Sequence, residues 1–174
     1  MTRLFFLGAF FLMFTSVFSQ SLDGKNAELL QKINDYRKAN GLSAIKLNEK
    51  LQAVAEAHAL DLEKYYNPED KKCNLHSWSN HGKWSSCCYT DDHAQKECMW
   101  HKPKEISNYS GYGFEIAYYS SQTLTPEMAL NGWKSSKGHH DVIINRDIWK
   151  SISFQSIGVY VTEHYAVVWF GVEE

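Results

Sequence analysis

Three of the chain's four cysteines, two histidines and two tryptophans crowd into residues 73–88, CNLHSWSNHGKWSSCC. Thiolates and imidazoles together hold a transition metal, whereas paired thiols close loops as disulfides. Two Cys-x-x-His frames are present, Cys73 with His76 and Cys98 with His101, and together they offer four ligands to a tetrahedral zinc. The N-terminus argues for the other chemistry. Arg3 precedes the apolar run Leu4 to Phe18, and Val17 and Ser19 are small enough to flank a secretory cleavage site before Gln20. The run falls short of the roughly 18 apolar residues a spanning helix needs. A signal peptide over residues 1–19 is therefore expected, with the mature chain secreted to the extracellular space or a periplasm. In that setting an even number of cysteines reads as two disulfides among Cys73, Cys87, Cys88 and Cys98. A bridge between the adjacent Cys87 and Cys88 is strained, so each is expected to pair with Cys73 or Cys98.

Acid–base and ligand chemistry rests on a second set of residues. His58 shares a helix face with Leu51, Val54, Ala55 and Leu62 and reads as a packed core imidazole. His81, His93 and His164 stand in polar loops or turns and are expected at the surface. His76, His101 and the pair His139-His140 remain. Glu115 interrupts the apolar stretch Phe114 to Ala117. It faces either solvent or a buried partner, because an unpaired buried carboxylate is too costly. Imidazole and carboxylate also make a first-row metal set. Ser77 beside His76 is not a triad, since adjacency along the chain is not the required geometry.

The elements that must position these groups are legible in outline. Leu29, Leu30, Ile33 and Tyr36 predict a helix over 25–39, stopped by Asn40-Gly41. Asn48 is an N-cap candidate for a second helix to about Tyr65. Residues 67–112 show no sustained period and read as one long irregular insertion rich in Cys and Trp, with Trp78, Trp84 and Trp100 as candidate binding-surface aromatics. A short strand is expected over 114–118. A helix follows from Thr125-Pro126, ending at Lys137-Gly138. A hairpin, 157–161 and 165–170, closes the chain. Pro68, Pro103 and Pro126 are read as element boundaries. Helices first and late antiparallel strands make an α+β domain over residues 20–174. The net charge of −2, without a basic block, argues against nucleic-acid partners. The aromatic content of 14% argues against disorder and suits a core or a carbohydrate- or lipid-facing surface.

In order, these features resemble the CAP superfamily of cysteine-rich secretory proteins, venom antigens and pathogenesis-related proteins. Asn34 to Arg37 with Gly41-Leu42, Leu47 to Leu60, His76-Ser77, Gly113 to Tyr118, Trp133 to His139 and the Ile157-Gly158-Val159 hairpin carry the likeness, over residues 28–171. The Trp133-to-His139 spacing, with Ser136 where eukaryotic members carry a second acid, is similar to the bacterial branch. Elsewhere, the sequon Asn108-Tyr109-Ser110 bears on glycosylation only in a eukaryotic secretory pathway. The resemblance implies a three-layer α-β-α sandwich with a central antiparallel sheet and a cleft lined by His76, Glu115 and His139. It also implies, for some members, zinc or another divalent ion there. The family's Glu falls on Phe114 in an ungapped match, so Glu115 is expected to reach the cleft only through a bulge or a shifted register. Two functions follow from the likeness. One is a secreted, non-enzymatic module that binds a small ligand, such as a lipid, or an extracellular protein. The other is a zinc hydrolase in which His76 and His139 hold the metal and Glu115 is the general base.

Overall fold

A computed structural model describes residue 22 and residues 24–172; the expected signal peptide lies outside the described residues. Helix α1 spans Gly24–Ala39 and buries Leu29 and Ile33, while α2, Glu49–Tyr65, buries Leu51, Val54, Ala55, His58 and Leu62. Asn48 caps α2 as its sequence suggests, its side-chain oxygen accepting from the amides of Lys50 and Leu51. Next come α3 (Lys96–Ser107), strand β2 (Tyr112–Tyr119), α4 (Pro126–Ser135) and α5 (Lys137–Ile143). A 3₁₀ turn at Asp147–Trp149 leads into the hairpin β3 (Ser156–Val161) and β4 (Tyr165–Val172). Strand β1 is the pair Lys46–Leu47.

The sheet order is β1-β3-β4-β2. Its three long strands are antiparallel, but β1 runs parallel to β3, so the sheet is mixed rather than purely antiparallel. Strand periodicity divides the interior in two. Ala166, Val168 and Phe170 of β4 join Leu29, Ile33 and Trp133 on one face; Tyr165, Val167 and Trp169 join Leu51, Val54 and Leu62 on the other. Both faces being covered explains why Tyr165 to Phe170 is apolar without alternation. The layers are thus α1, α4 and α5, then sheet, then α2 and α3: the expected sandwich.

The start of α2 lies directly on β3. A Cβ at Gly158 would stand 2.2 Å from the backbone carbonyl of Leu51. Backbone cannot swing aside as a side chain does, so Gly158→Ala is expected to cost about 1–3 kcal/mol or more. Urea unfolding of the variant measures that loss.

Three expectations are corrected. Residues 96–107 are helical, not irregular. Pro103 lies inside α3 rather than at a boundary, and its ring packs close to the Cα of Gly113 on β2. The helix forms despite the proline because tertiary packing buries Met99, Lys102 and Pro103 and a disulfide from Cys98 anchors it. Lys137-Gly138 does not end a helix either. The extended residue Ser136 separates α4 from α5, and Gly138 lies within α5.

Candidate functional site

The loop between α2 and α3 is held by two bridges, Cys73–Cys88 and Cys87–Cys98, so Cys87 and Cys88 do pair with different partners. No cysteine is free, which removes both thiolates of the Cys-x-x-His zinc frame. His101, the other half of that frame, is exposed and pairs with Glu97 one helical turn away. Between the bridges, Trp78 and Cys87 exchange backbone hydrogen bonds of 2.8 and 3.0 Å. Within this frame Asn74 Oδ1 accepts from the His76 amide and fixes where that imidazole leaves the chain.

Glu115 points inward from β2, and its side chain is 1% exposed. No bulge is needed: β2 pairs with β4 in unbroken register from Tyr112–Val172 to Tyr119–Tyr165. The alternation that sends Phe114 toward Trp149 and Phe154 sends Glu115 to the α2–α3 side. Oε1 lies 2.7 Å from His76 Nδ1, and Oε2 meets His58 Nδ1. His58 Nε2 lies 3.0 Å from the carbonyl oxygen of Ser77, and its ring is stacked on Trp78 at 4.0 Å.

Hydrogen-bond direction then fixes the protons. With Glu115 ionised, His58 presents Nδ1 to a carboxylate oxygen and Nε2 to the Ser77 carbonyl, so both of its partners are acceptors. His76 donates from Nδ1 to the ionised carboxylate, so its neutral form carries the lone pair on Nε2. A carboxylate thus sets the tautomer of a cleft imidazole, the arrangement that orients imidazole bases and metal ligands alike. Burial pushes Glu115 up, but the charge and hydrogen bonds of His58, with those of His76, outweigh it and hold the carboxyl below its ordinary range.

His139 comes from the first turn of α5 and faces the same hollow. A cavity of about 300 Å³ is lined by Asn74, His76, Asp91, His93, Ala117 and His139, with Leu75. Burial, then repulsion from His76, lowers His139 to about 4, partly offset by Glu115. His139 is therefore neutral at pH 7. Histidine NMR titration is expected to give it a midpoint near 4, moving toward the ordinary 6.5 in His76→Ala.

The structure thus brings His76 and His139 to one cavity and places Glu115 behind His76 rather than in the cavity lining. His58, His93 and Asp91 were not singled out as site residues. The signal for His58 was available: an imidazole and a carboxylate each stood on an otherwise apolar face, and each required a partner. His93 is exposed, as expected, yet it also lines the cavity, with Nδ1 3.3 Å from the Tyr89 hydroxyl. His140 takes a different role, bonding Tyr36 Oη through Nε2 at 2.9 Å. Of the three indoles expected at a binding surface, Trp78 is 3% exposed and forms the wall behind His58. Trp84 stands edge-on to Trp78, and Trp100 leans on Tyr112 and Phe114, both half-buried. They make no continuous exposed surface.

Metal fit can be tested on the donors. Glu115 spends both oxygens on imidazoles. Among the described residues, the one group of three donors mutually within 4.8 Å is Glu63, Glu163 and His164, at the end of α2 and the β3–β4 turn. There Glu63 already bonds His164 Nδ1 at 2.6 Å and its amide at 3.0 Å. His76, Glu115 and His139 as arranged do not fit a three-ligand zinc site.

The cysteine-rich secretory protein family, CAP, matches residues 30–169 of the sequence. No curated protein matches it significantly. Three solved bacterial structures share the fold. An outer surface protein from Borrelia burgdorferi is 18% identical with a TM-score of 0.55, over 84% of this chain and 91% of that one. A cysteine-rich secretory protein from Staphylococcus aureus is 14% identical (TM-score 0.53), covering 84% of this chain. An extracellular SCP-domain protein from Bacillus anthracis is 15% identical (TM-score 0.60), covering 86% of this chain. The chain spans only 38% and 40% of the latter two.

Proposed function

This chain belongs to the cysteine-rich secretory protein (CAP) family, and from that premise we propose that it works outside the cytoplasm as a binding module. Its cleft receives a small polar ligand between His76 and His139. One observation carries the reading: Glu115 Oε1 lies 2.7 Å from His76 Nδ1, so the neutral form of His76 keeps its lone pair on Nε2, in a cavity shared with a neutral His139. Imidazoles in the neutral form accept hydrogen bonds from hydroxyl, amide or ammonium donors, and the cavity's size suits a small ligand. Two disulfides support an oxidising compartment, and no helix among the described residues is long and apolar enough to cross a membrane.

The hydrolase alternative asks Glu115 to activate a water. Its burial and its two imidazole partners assign it to orientation instead. Catalysis is therefore not part of the proposal.

Titration of the protein with a mixture of small hydroxyl and amide fragments, followed by amide NMR, tests the reading. Shifts are expected at Asn74 to Ser77 and around His139, and they vanish in His76→Ala/His139→Ala while the fold persists by circular dichroism. Hits that survive the double variant contradict it.

A further inference from the structure

A second cavity, of about 390 Å³, opens on the other side of the segment that carries His76. Asn74, Leu75 and His76 line the histidine cleft; Ser77, Trp78 and Ser79 line this one, together with the end of α2 and the rim formed by Cys73, Cys87 and Cys88. Its walls combine the aromatic residues Tyr65, Tyr66 and Trp78 with two carboxylates, Asp61 and Asp70, and no Lys, Arg or His lines it. From this lining we infer that the cavity binds a small organic ammonium ion, its alkyl part against the tyrosines and its charge toward Asp70.

The two carboxylates play different parts. Asp61 is 4% exposed and accepts from the amide and hydroxyl of Ser79, at 2.8 and 2.5 Å, so it fixes the wall and adds negative charge to it. Asp70 is exposed. Its Oδ1 takes the amide of Lys72 at 2.8 Å, and its Oδ2 has no hydrogen-bond partner among the described residues. That oxygen is the one available to a cation. Tyr66 records the resulting field: burial first, then Asp70 and Asp91, push its hydroxyl above its ordinary value. The nearby basic groups lie outside the lining: Lys102 Nζ, 5.5 Å from the Trp78 ring centre, is already paired with Glu105 and the Ser85 carbonyl. Lys64 Nζ sits 5.0 Å from the Tyr65 ring centre, and His81 is stacked on that ring at 4.0 Å. An anion would enter against both carboxylates without a paired cation in the wall, whereas an ammonium ion meets an uncommitted acceptor. The volume lies in the range of small-molecule sites, and the Cys73–Cys88 bridge holds the rim in place before a ligand arrives.

The inference concerns a site separate from the histidine cleft, and its test keeps the two apart. Pentylammonium chloride is titrated into the protein and followed by amide NMR, with 1-pentanol as the neutral isostere. Saturable shifts are expected at Tyr66, Asp70 and Ser79, with a dissociation constant of ~1–10 mM. Binding should be about tenfold weaker for 1-pentanol and about tenfold weaker in Asp70→Asn. Asn keeps the Oδ1 acceptor for Lys72, so the local turn survives the substitution. The double variant His76→Ala/His139→Ala should bind as the wild type does. Capped lysine, Nα-acetyl-lysine methylamide, carries the same cation on a polypeptide: tighter binding than pentylammonium assigns the natural source to a peptide side chain, and equal or weaker binding to a free amine. Absence of saturation, equal binding of 1-pentanol, or an unchanged affinity in Asp70→Asn would overturn the assignment.

Discussion

Glu115→Ala is expected to destabilise the fold by about 3–5 kcal/mol, the cost of breaking a buried ion pair by deleting one partner. The substitution strands two imidazoles at once. His58 loses its carboxylate partner at 0% exposure, and His76 loses the acceptor that fixes its ring. Glu115→Gln separates charge from geometry. The amide nitrogen can donate to His58 Nδ1 while the amide oxygen still accepts from His76 Nδ1, so this variant is expected to lie within about 1–2 kcal/mol of the wild type. Chemical denaturation of both variants at pH 7 measures the difference; equal losses would show that hydrogen-bond geometry is not what Glu115 supplies.

The same cluster dictates acid sensitivity. Glu115 is held below its ordinary 4.5, so its contribution is fully present above 4.5 and is lost as pH falls through its lower folded value. His139 is held neutral in the fold at about 4 against an ordinary 6.5, so the unfolded chain binds the proton first and stability declines as pH drops from 6.5 toward 4. Both act in the same direction, and denaturation midpoints are expected to fall progressively below pH 6.5.

Removal of the two bridges is the second large effect. The sequence separations of 15 and 11 residues correspond to about 3 kcal/mol of stabilisation each in the chain-entropy account. Cys73→Ser/Cys88→Ser and Cys87→Ser/Cys98→Ser are each expected to lose that order of stability in urea unfolding. The consequence for the cleft is selective. His58 and Glu115 sit on α2 and β2 and stay paired, whereas His76 rides on the clamped loop and loses its frame. The His139 midpoint should then rise from about 4, because His76 repulsion and part of its burial depart together. An unaltered His139 midpoint in the four-serine variant would show that the bridges do not hold the cleft.

How far the sequence carried these conclusions depends on the range of the forces involved. Elements set by local signals were legible. The Asn48 cap, the Thr125-Pro126 helix start and the closing hairpin all follow from side-chain and backbone preferences within a few residues. Helix α3 was not, because its stability comes from β2 beneath it and from a disulfide to Cys87, and Pro103 masked what local pattern remained. The two-residue strand β1 is equally silent, defined by its parallel partner in β3. At the site, His76 and His139 were found through the family resemblance. Glu115 was read as needing a bulge because family alignment placed the cleft on Phe114's side of the strand. Its actual partner, His58, looked like core because its polarity is satisfied only by residues 19 and 57 positions away.

The tautomer of His76 tests the account most directly. Two-bond ¹H–¹⁵N correlation of the imidazoles is expected to show the neutral form of His76 carrying its proton on Nδ1, with His139 neutral at pH 7. A neutral His76 protonated at Nε2 would mean that Glu115 does not orient it, and the ligand-accepting face assigned to the cleft would be gone.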